Sequence, residues 1–412
     1  MTSTQLRIAM VSPTLGSAFG LEQVLMTSVS GLRVKGHEVF LIGEKAFDSL
    51  PKEETPYLIP GLFSTPALLK PGQLKKVKED FAQVLSKLSP HVVHFLDQPH
   101  ADLIDLAVSK YPCVLTAHTV APTCPASHRL ANQSSVCDRL SGWSCLWENK
   151  KLQCLDGFKS DLHRAHVIYE YERKRAATKQ MKAIIAISRY VEEKLLENGF
   201  SKSQVRLIYN PLPHLSEIKP LSRPLPLIVS ACRLVPLKGI EFAIRALKKI
   251  EHRNWEYWIL GEGTLEQSLK DLVRELKLEE RVLFKGKTAR IQTLEILQSA
   301  TLFLQPNVGP EGFGLSVAEA LSLGTPAVGF DTPALNEIIE HDQNGYLVKA
   351  KDIEGLSQAI QKILASPETR ERLSKNGGEK ITKIFSEDAF IDSTLNLYHE
   401  ILSLKGSVDF QY

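Results

Sequence analysis

Four charged residues in the second half of the chain have the types and spacing to hold a phosphate-bridged ligand. Glu311 and Glu319, with seven residues between them, flank the turn of NVGPEGFGLSVAEALSLGTP, which contains Gly312 and Gly314. The apolar run from Leu315 reads as a short helix ended by Gly324 and Pro326. Its first N–H groups, at Leu315 and Ser316, together with the helix dipole, favour an anion such as a diphosphate. The two carboxylates can each accept hydrogen bonds from hydroxyl pairs on a sugar or ribose. In SACRLVPLKGIEFAI, Arg233 and Lys238 follow a strand and precede a helix, where two cations can neutralise a diphosphate. A ligand with phosphate between two polyols, as in a sugar nucleotide, fits this plan. The plainer readings are a solvated Glu319, a loop shaped by glycines, and surface charge at Arg233 and Lys238; a shared sheet edge favours the ligand.

The elements that must position these residues follow from the hydrophobic pattern. Strand-like runs LRIAMVSP, HEVFLIG, HVVHFLD, PCVLTAHT, AIIAIS and VRLIYNP alternate with helical patterns in the first half. After the proline-rich stretch Pro211 to Pro226, the alternation restarts with LPLIVSACRL, WEYWILGEG, RVLFKG, ATLFLQPN and TPAVGFD. Ile240, Ala243, Ile244, Leu247 and Ile250 form one apolar helix stripe; a second, through Leu265, Leu269, Leu272, Val273 and Leu276, opens with Thr264 and Gln267 at capping-box spacing. This grammar predicts an α/β fold of two doubly wound Rossmann-like domains facing each other. Ligands in such sheets bind beyond the carboxyl ends of the strands, so a cleft between the domains is the expected site.

Composition sets the outer limits. A chain of 412 residues, 43% of them hydrophobic, is long enough for two cores. A net charge of +3 is too mild to argue for a nucleic-acid partner. No apolar run reaches membrane-span length and the amino-terminal stretch lacks the pattern of a secretory signal, so the expected location is cytoplasmic. Cys113 and Cys232 fall in apolar strands and read as inert core thiols. Cys124, Cys137, Cys145 and Cys154 fall in one long segment, Ala117 to Gly157, which should be functional or mobile. Their spacings lack the close pairs of a zinc site, so isolated thiols in that segment are favoured and no metal is expected. Two lysine-bearing segments, LKPGQLKKVKEDFAQVLSKL and YERKRAATKQMK, offer basic faces for a peripheral membrane contact, against the ordinary reading of core-packed helices.

Read together, these residues resemble retaining GT-B glycosyltransferases, specifically glycosyltransferase family 4 (glycosyl transferases group 1), over nearly the whole chain. The glutamate pair with EGFG, the cation motif RLVPLKG, and GEGTLEQSL, GTPAVGFDTPALNEII and NGYLV occur in family order. The resemblance implies that Glu319 holds the nucleotide ribose and Glu311 positions the transferred sugar. It implies that Gly312, Phe313, Gly314, Leu315 and Ser316 cradle the donor, and that Arg233 and Lys238 hold its diphosphate. In the first domain, Gly20 and Glu22 of AFGLEQVL resemble the end of the family's GGxE loop, and His118 of VLTAHT its active-site histidine; a satisfied core histidine is the other reading. Phe19, Cys232 and the PALNE form around Glu337 depart from the family pattern.

The implied division is a first, acceptor-side domain over residues 1–212 with a cysteine-bearing insert at 118–157. A nucleotide-sugar domain follows over 213–390, and a last helix, 391–412, crosses back to the first domain. The implied activity is hexosyl transfer, with retention, from a UDP-, GDP- or ADP-sugar to a glycan, lipid-linked or small-molecule acceptor. Arg233, Lys238 and the helix N-terminus would stabilise the leaving diphosphate with no cofactor or metal, in keeping with the lack of an Asp-x-Asp motif at a strand end. The rivals are a related GT-B phosphorylase or epimerase, and a catalytically idle nucleotide-sugar-binding scaffold.

Overall fold

The computed structural model describes residues 5–16, 20–64, 72–127, 129–131, 135–155, 160–212, 218–222, 224–250 and 254–406. It divides into two compact units. The first comprises residues 1–129, 138–211 and 387–412, and the second residues 130–137 and 212–386.

The strands of the first unit are β1 (Arg7–Leu15), β2 (Glu38–Ala46), β3 (Tyr57–Leu58), β4 (Val92–Phe95) and β5 (Cys113–Ala117). A short antiparallel ribbon, β6 (Leu130–Ala131) with β7 (Ser135–Val136), which is counted with the second unit, precedes in the chain β8 (Ala183–Ala186) and β9 (Val205–Leu207) of the first. The main sheet is parallel with the order β3-β2-β1-β4-β5-β8-β9. Parallel strands covered on both faces need continuous apolar runs, and every residue of β4, β5 and β8 is buried. On one face, Val24, Leu25, Val29 and Leu32 of helix Gly20–Val34 join Phe390, Ile391, Tyr398 and Ile401 of helix Glu387–Gly406 in the core. The last helix is tied down by a polar clamp as well. His94 Nδ1 is 2.5 Å from the Tyr398 hydroxyl, and its Nε2 is 2.7 Å from Thr116 Oγ1.

The second unit has β10 (Leu227–Ala231), β11 (Glu256–Leu260), β12 (Val282–Gly286), β13 (Leu302–Gln305), β14 (Ala327–Phe330) and β15 (Gly345–Val348). Its parallel order is β12-β11-β10-β13-β14-β15. Both sheets therefore grow outward from their first strand in one direction, then from its other side in the opposite direction. The switch points are β1/β4 and β10/β13, the places where an open parallel sheet leaves a crevice at its carboxyl edge. The Ile240 stripe packs as read, with Ile240, Ala243, Ile244 and Leu247 buried. The capping box does not form. Helix Glu266–Glu275 starts without a side-chain cap, because the preceding loop is fixed by Leu265 N–H donating to the Leu234 carbonyl at 3.0 Å.

The two basic segments differ. In helix Gln73–Leu88, Val77, Phe81, Leu85 and Leu88 are buried, so its apolar stripe packs into the first unit, as the ordinary reading had it. In helix Asp161–Thr178 the cations are engaged within the unit. Arg173 pairs with Asp102 at 2.9 Å, Arg175 with Glu172 at 2.7 Å, and Lys174 donates to the Gln98 carbonyl at 3.2 Å. Among the described residues, no helix is long and apolar enough to cross a membrane.

Candidate active site

The loops that leave β10 and β13 meet at the switch point of the second sheet. Gly239, with φ at +62°, is the hinge of that meeting: a Cβ there would lie 2.0 Å from the Pro306 carbonyl oxygen, so only glycine fits. Val308 N–H donates to the Leu237 carbonyl at 3.0 Å and fastens the two loops. As a result, the Lys238 ammonium pairs with Glu311 Oε1, and the two side chains are 13% and 17% exposed. The same oxygen accepts from Asn307 Nδ2, and Gln305 Nε2 lies 3.4 Å away. Gln305 also donates to Asn307 Oδ1 at 3.1 Å. Glu311 is thus oriented by one cation and two amides through a single oxygen. Among the described residues its Oε2 has no hydrogen bond, which leaves that oxygen for a ligand hydroxyl.

The turn after Glu311 is anchored from below by Phe313, buried and edge-on to Phe385 with ring centroids 5.1 Å apart. Of the two glycines expected to take unusual backbone angles, only Gly314 does, with φ at +103° as the N-cap residue of helix Leu315–Ser322. Gly312 has no positive φ; it lies in a bend whose path is set by Glu311 N–H donating to the Pro333 carbonyl at 3.3 Å. The Gly314 carbonyl accepts from Val317 and Ala318. The N–H groups of Leu315 and Ser316 have no acceptor among the described residues, as an anion site at a helix start requires. Beside this turn, Ala334 occupies the PALNE departure with φ at +70°, a backbone angle that costs an alanine more than a glycine.

Glu319 does not join the Lys238 cluster. Its carboxylate is buried, with the side chain 5% exposed, and pairs with Arg290 Nη2 at 2.7 Å. Arg290 is the residue the sequence reading missed. It opens helix Arg290–Gln298, where the dipole disfavours a cation, and that mismatch was the available signal. Asn307 and Gln305 were missed as well, although Asn307 begins the glycine-rich stretch. Arg233 is exposed and makes no hydrogen bond or ion pair among the described residues, so its charge is uncommitted. Burial pushes the neighbouring Cys232 thiol up to about 12, which keeps it neutral and inert.

The remaining candidates belong to the first unit. Gly20 starts helix Gly20–Val34, and Glu22 in its first turn is buried; Oε1 accepts from the Thr14 hydroxyl at the end of β1, while Oε2 is buried without a partner among the described residues. Phe19 lies outside the described residues. His118 follows β5; burial lowers it to about 4, so the imidazole is neutral near pH 7, and its Nε2 is buried without a partner among the described residues. A histidine satisfied in the core would show that nitrogen bonded. Cys124 is buried and Cys137, Cys145 and Cys154 are half-buried; among the described residues, no three His, Cys, Asp or Glu side chains converge as a metal group. The segment read as a long loop contains a one-turn helix at Ala121–Thr123, the β6/β7 ribbon and helix Cys145–Leu152.

Two family models match the chain in sequence. Residues 20–214 match Glycosyltransferase Family 4, and residues 215–380 match Glycosyl transferases group 1. Together with the two Rossmann-like units, these matches place the chain among the GT-B glycosyltransferases. An uncharacterized glycosyltransferase of Methanocaldococcus jannaschii is 31% identical over 181 residues, spanning 44% of this chain and just under half, 46%, of that protein. The amylovoran biosynthesis glycosyltransferase AmsK of Erwinia amylovora is 26% identical over 345 residues, 80% of this chain and 76% of that one. The fold is shared with Anabaena HepE, whose crystal structure contains UDP, at a TM-score of 0.70 and 15% identity over 96% of this chain and all of that one.

Proposed function

We propose that this protein is a retaining glycosyltransferase that moves a hexosyl group from a nucleotide-sugar donor to a glycan, lipid-linked or small-molecule acceptor without a divalent metal. The observation that carries the reading is the carboxyl edge of the second sheet. An uncommitted Arg233, the Lys238–Glu311 pair, two open N–H groups at a helix start and a buried Glu319 all lie in the segments that follow β10 and β13 of one unit. UDP in the HepE structure and the role of AmsK in amylovoran biosynthesis support a nucleotide-sugar donor and a glycan product.

In this reading Glu319 receives the ribose hydroxyls and Glu311 Oε2 a hydroxyl of the transferred sugar. The diphosphate lies over the N–H groups of Leu315 and Ser316, with Arg233 and Lys238 opposite. As the bond from sugar C1 to the phosphate oxygen breaks, negative charge grows on the diphosphate, and these groups stabilise it without reorganising. The acceptor oxygen forms the new bond to C1 on the face the phosphate leaves, and its proton passes to the departing phosphate oxygen. His118, neutral, contributes a hydrogen bond rather than a charge. A glycosidase would need its two carboxylates flanking one bond. Here they sit in separate ion pairs, Glu311 with Lys238 and Glu319 with Arg290.

The test is donor turnover. Purified protein supplied with UDP-, GDP- and ADP-sugars in EDTA should release one nucleotide in an acceptor-dependent manner, and NMR of the product should show the donor's anomeric configuration. Dependence on free phosphate would indicate the phosphorylase reading. Conversion without acceptor would indicate an epimerase, and binding without turnover the idle scaffold.

A further inference from the structure

Between Glu311 and Leu315 the turn of the second unit carries one side chain, because Gly312 and Gly314 leave only Phe313 to hold it. A turn with glycine on both sides of that residue has little stiffness of its own. Its geometry depends on where the Phe313 ring is fixed. That ring is buried and meets the buried Phe385 edge to face, with centroids 5.1 Å apart and planes at 82°.

Phe385 caps the carboxyl end of helix Pro367–Ile384, its N–H donating to the Ile381 carbonyl at 2.9 Å. The same helix also meets the far end of helix Leu315–Ser322. A Cβ on Gly377 would lie 3.1 Å from Leu321 Cδ2, and one on Gly324 would lie 2.9 Å from Ser374 Oγ. One neighbour thus braces the short helix at both ends, and Phe385 stands at the end where the N–H groups of Leu315 and Ser316 open. Groups that bind a ligand keep their geometry only when the residues beneath them are locked.

The main chain of Phe385 makes a second connection. Its carbonyl accepts from Leu212 N–H at 2.8 Å, and Leu212 and Ser386 form a parallel bridge. The division between the units falls at Pro211/Leu212 and again at Ser386/Glu387, so two of the passages of the chain are fastened to each other on the second unit's side. One residue therefore holds the turn through its ring and the two passages through its backbone.

We propose that Phe385 is a positioning residue for nucleotide binding: its ring sets the turn that presents Glu311 and the N–H groups of Leu315 and Ser316, and occupancy of that turn strengthens the Leu212–Phe385 hydrogen bond. The proposal rests on the donor-site reading above and adds to it a support that touches no ligand. A ring that only filled the core would change stability and leave both nucleotide affinity and that hydrogen bond as they were.

The chain contains its own reporter. Pro211 and Pro213 lack an N–H, so the amide of Leu212 is the one exchangeable backbone hydrogen between Asn210 and His214. The experiment is hydrogen exchange at this amide, with calorimetry, on the full chain with UDP, GDP and ADP. In the wild type the nucleotide that binds should slow exchange at Leu212. Phe385→Leu, which keeps apolar bulk and removes the ring, should weaken that nucleotide roughly threefold to tenfold, the scale of one aromatic pair, and abolish the slowing. Phe313→Leu should do the same, and the double variant should bind no more weakly than the poorer single one, because each removes the same contact. Ile381→Val, buried in the same helix one turn earlier, should lower Tm and leave affinity and the exchange response as in the wild type, which marks the purely structural effect. Should Phe385→Leu not fold, the exchange response of Phe313→Leu decides the same point. Wild-type affinity in folded Phe385→Leu, additive losses in the double variant, or no slowing at Leu212 in wild-type protein that binds a nucleotide would overturn the proposal alone. No nucleotide binding by the folded wild type would overturn the donor-site reading and this proposal with it.

Discussion

The two halves of the chain use one sheet plan and fill its carboxyl edge in opposite ways. In each, the strand order reverses beside the first strand, at β1/β4 or β10/β13. In the second unit that edge is charged and interlocked, with Lys238 on Glu311 and Arg290 on Glu319. In the first, His118 and His100 are lowered by burial, and among the described residues one carboxylate oxygen of Glu22 is unpartnered. Topology locates the crevice, and the loops decide what it can hold. A charged, preformed edge suits a diphosphate whose charge grows in the transition state.

The largest effect that would sharpen this contrast is at Arg233. Arg233→Ala should lower kcat/KM by on the order of a hundredfold, the loss of one contact to developing charge, with an unchanged Tm because the side chain is exposed. Near-normal turnover would remove Arg233 from the chemistry. Next is Arg290. Arg290→Ala should raise the donor KM roughly tenfold, the scale of one charge-assisted hydrogen bond, with a smaller change in kcat, and Arg290→Lys should restore part of it. An equal fall in kcat would mean that Arg290 acts in the chemical step and not on the ribose side.

A third prediction concerns stability. His94 is lowered to about 3, and His100 and His118 to about 4, by burial. The unfolded chain binds more protons than the folded one below the ordinary histidine value near 6.5. Their neutral burial therefore costs nothing above about pH 6.5 and erodes stability progressively as pH falls toward 4. Thermal unfolding followed from pH 7.5 to 4.5 should show Tm falling over that window, with proteolytic cuts appearing first in the first unit. A pH-independent Tm, or first cuts in the second unit, would break the comparison. The smallest effects are expected from metal and membrane. EDTA should leave transfer unchanged, and anionic vesicles should bind the protein only through the lysine face of helix Gln73–Leu88, with an effect that disappears at physiological salt.

Much of this architecture could be read from the sequence because parallel strands buried on both faces must be short and continuously apolar, as HVVHFLD and ATLFLQPN are. Glu311, Glu319, Arg233 and Lys238 were visible because they fall in glycine-bearing segments that follow such strands. Their partners were not. Arg290 meets Glu319 from another helix, and the amides of Asn307 and Gln305 converge on one oxygen, through folded geometry that sequence spacing does not encode. The helix Asp161–Thr178 shows the same limit. Its basic run reads as a surface face, yet Arg173 and Lys174 are used against Asp102 and Gln98, and the stripe they leave lines a cavity.

The most direct test of the central claim, that the second unit's edge is a nucleotide-sugar site, is calorimetric titration of the intact protein with UDP, GDP and ADP in EDTA, repeated on Arg233→Ala and Glu319→Ala. The account predicts that one nucleotide binds without metal and that each substitution weakens it at least tenfold. Absence of binding by folded protein, or binding indifferent to both substitutions, would contradict it.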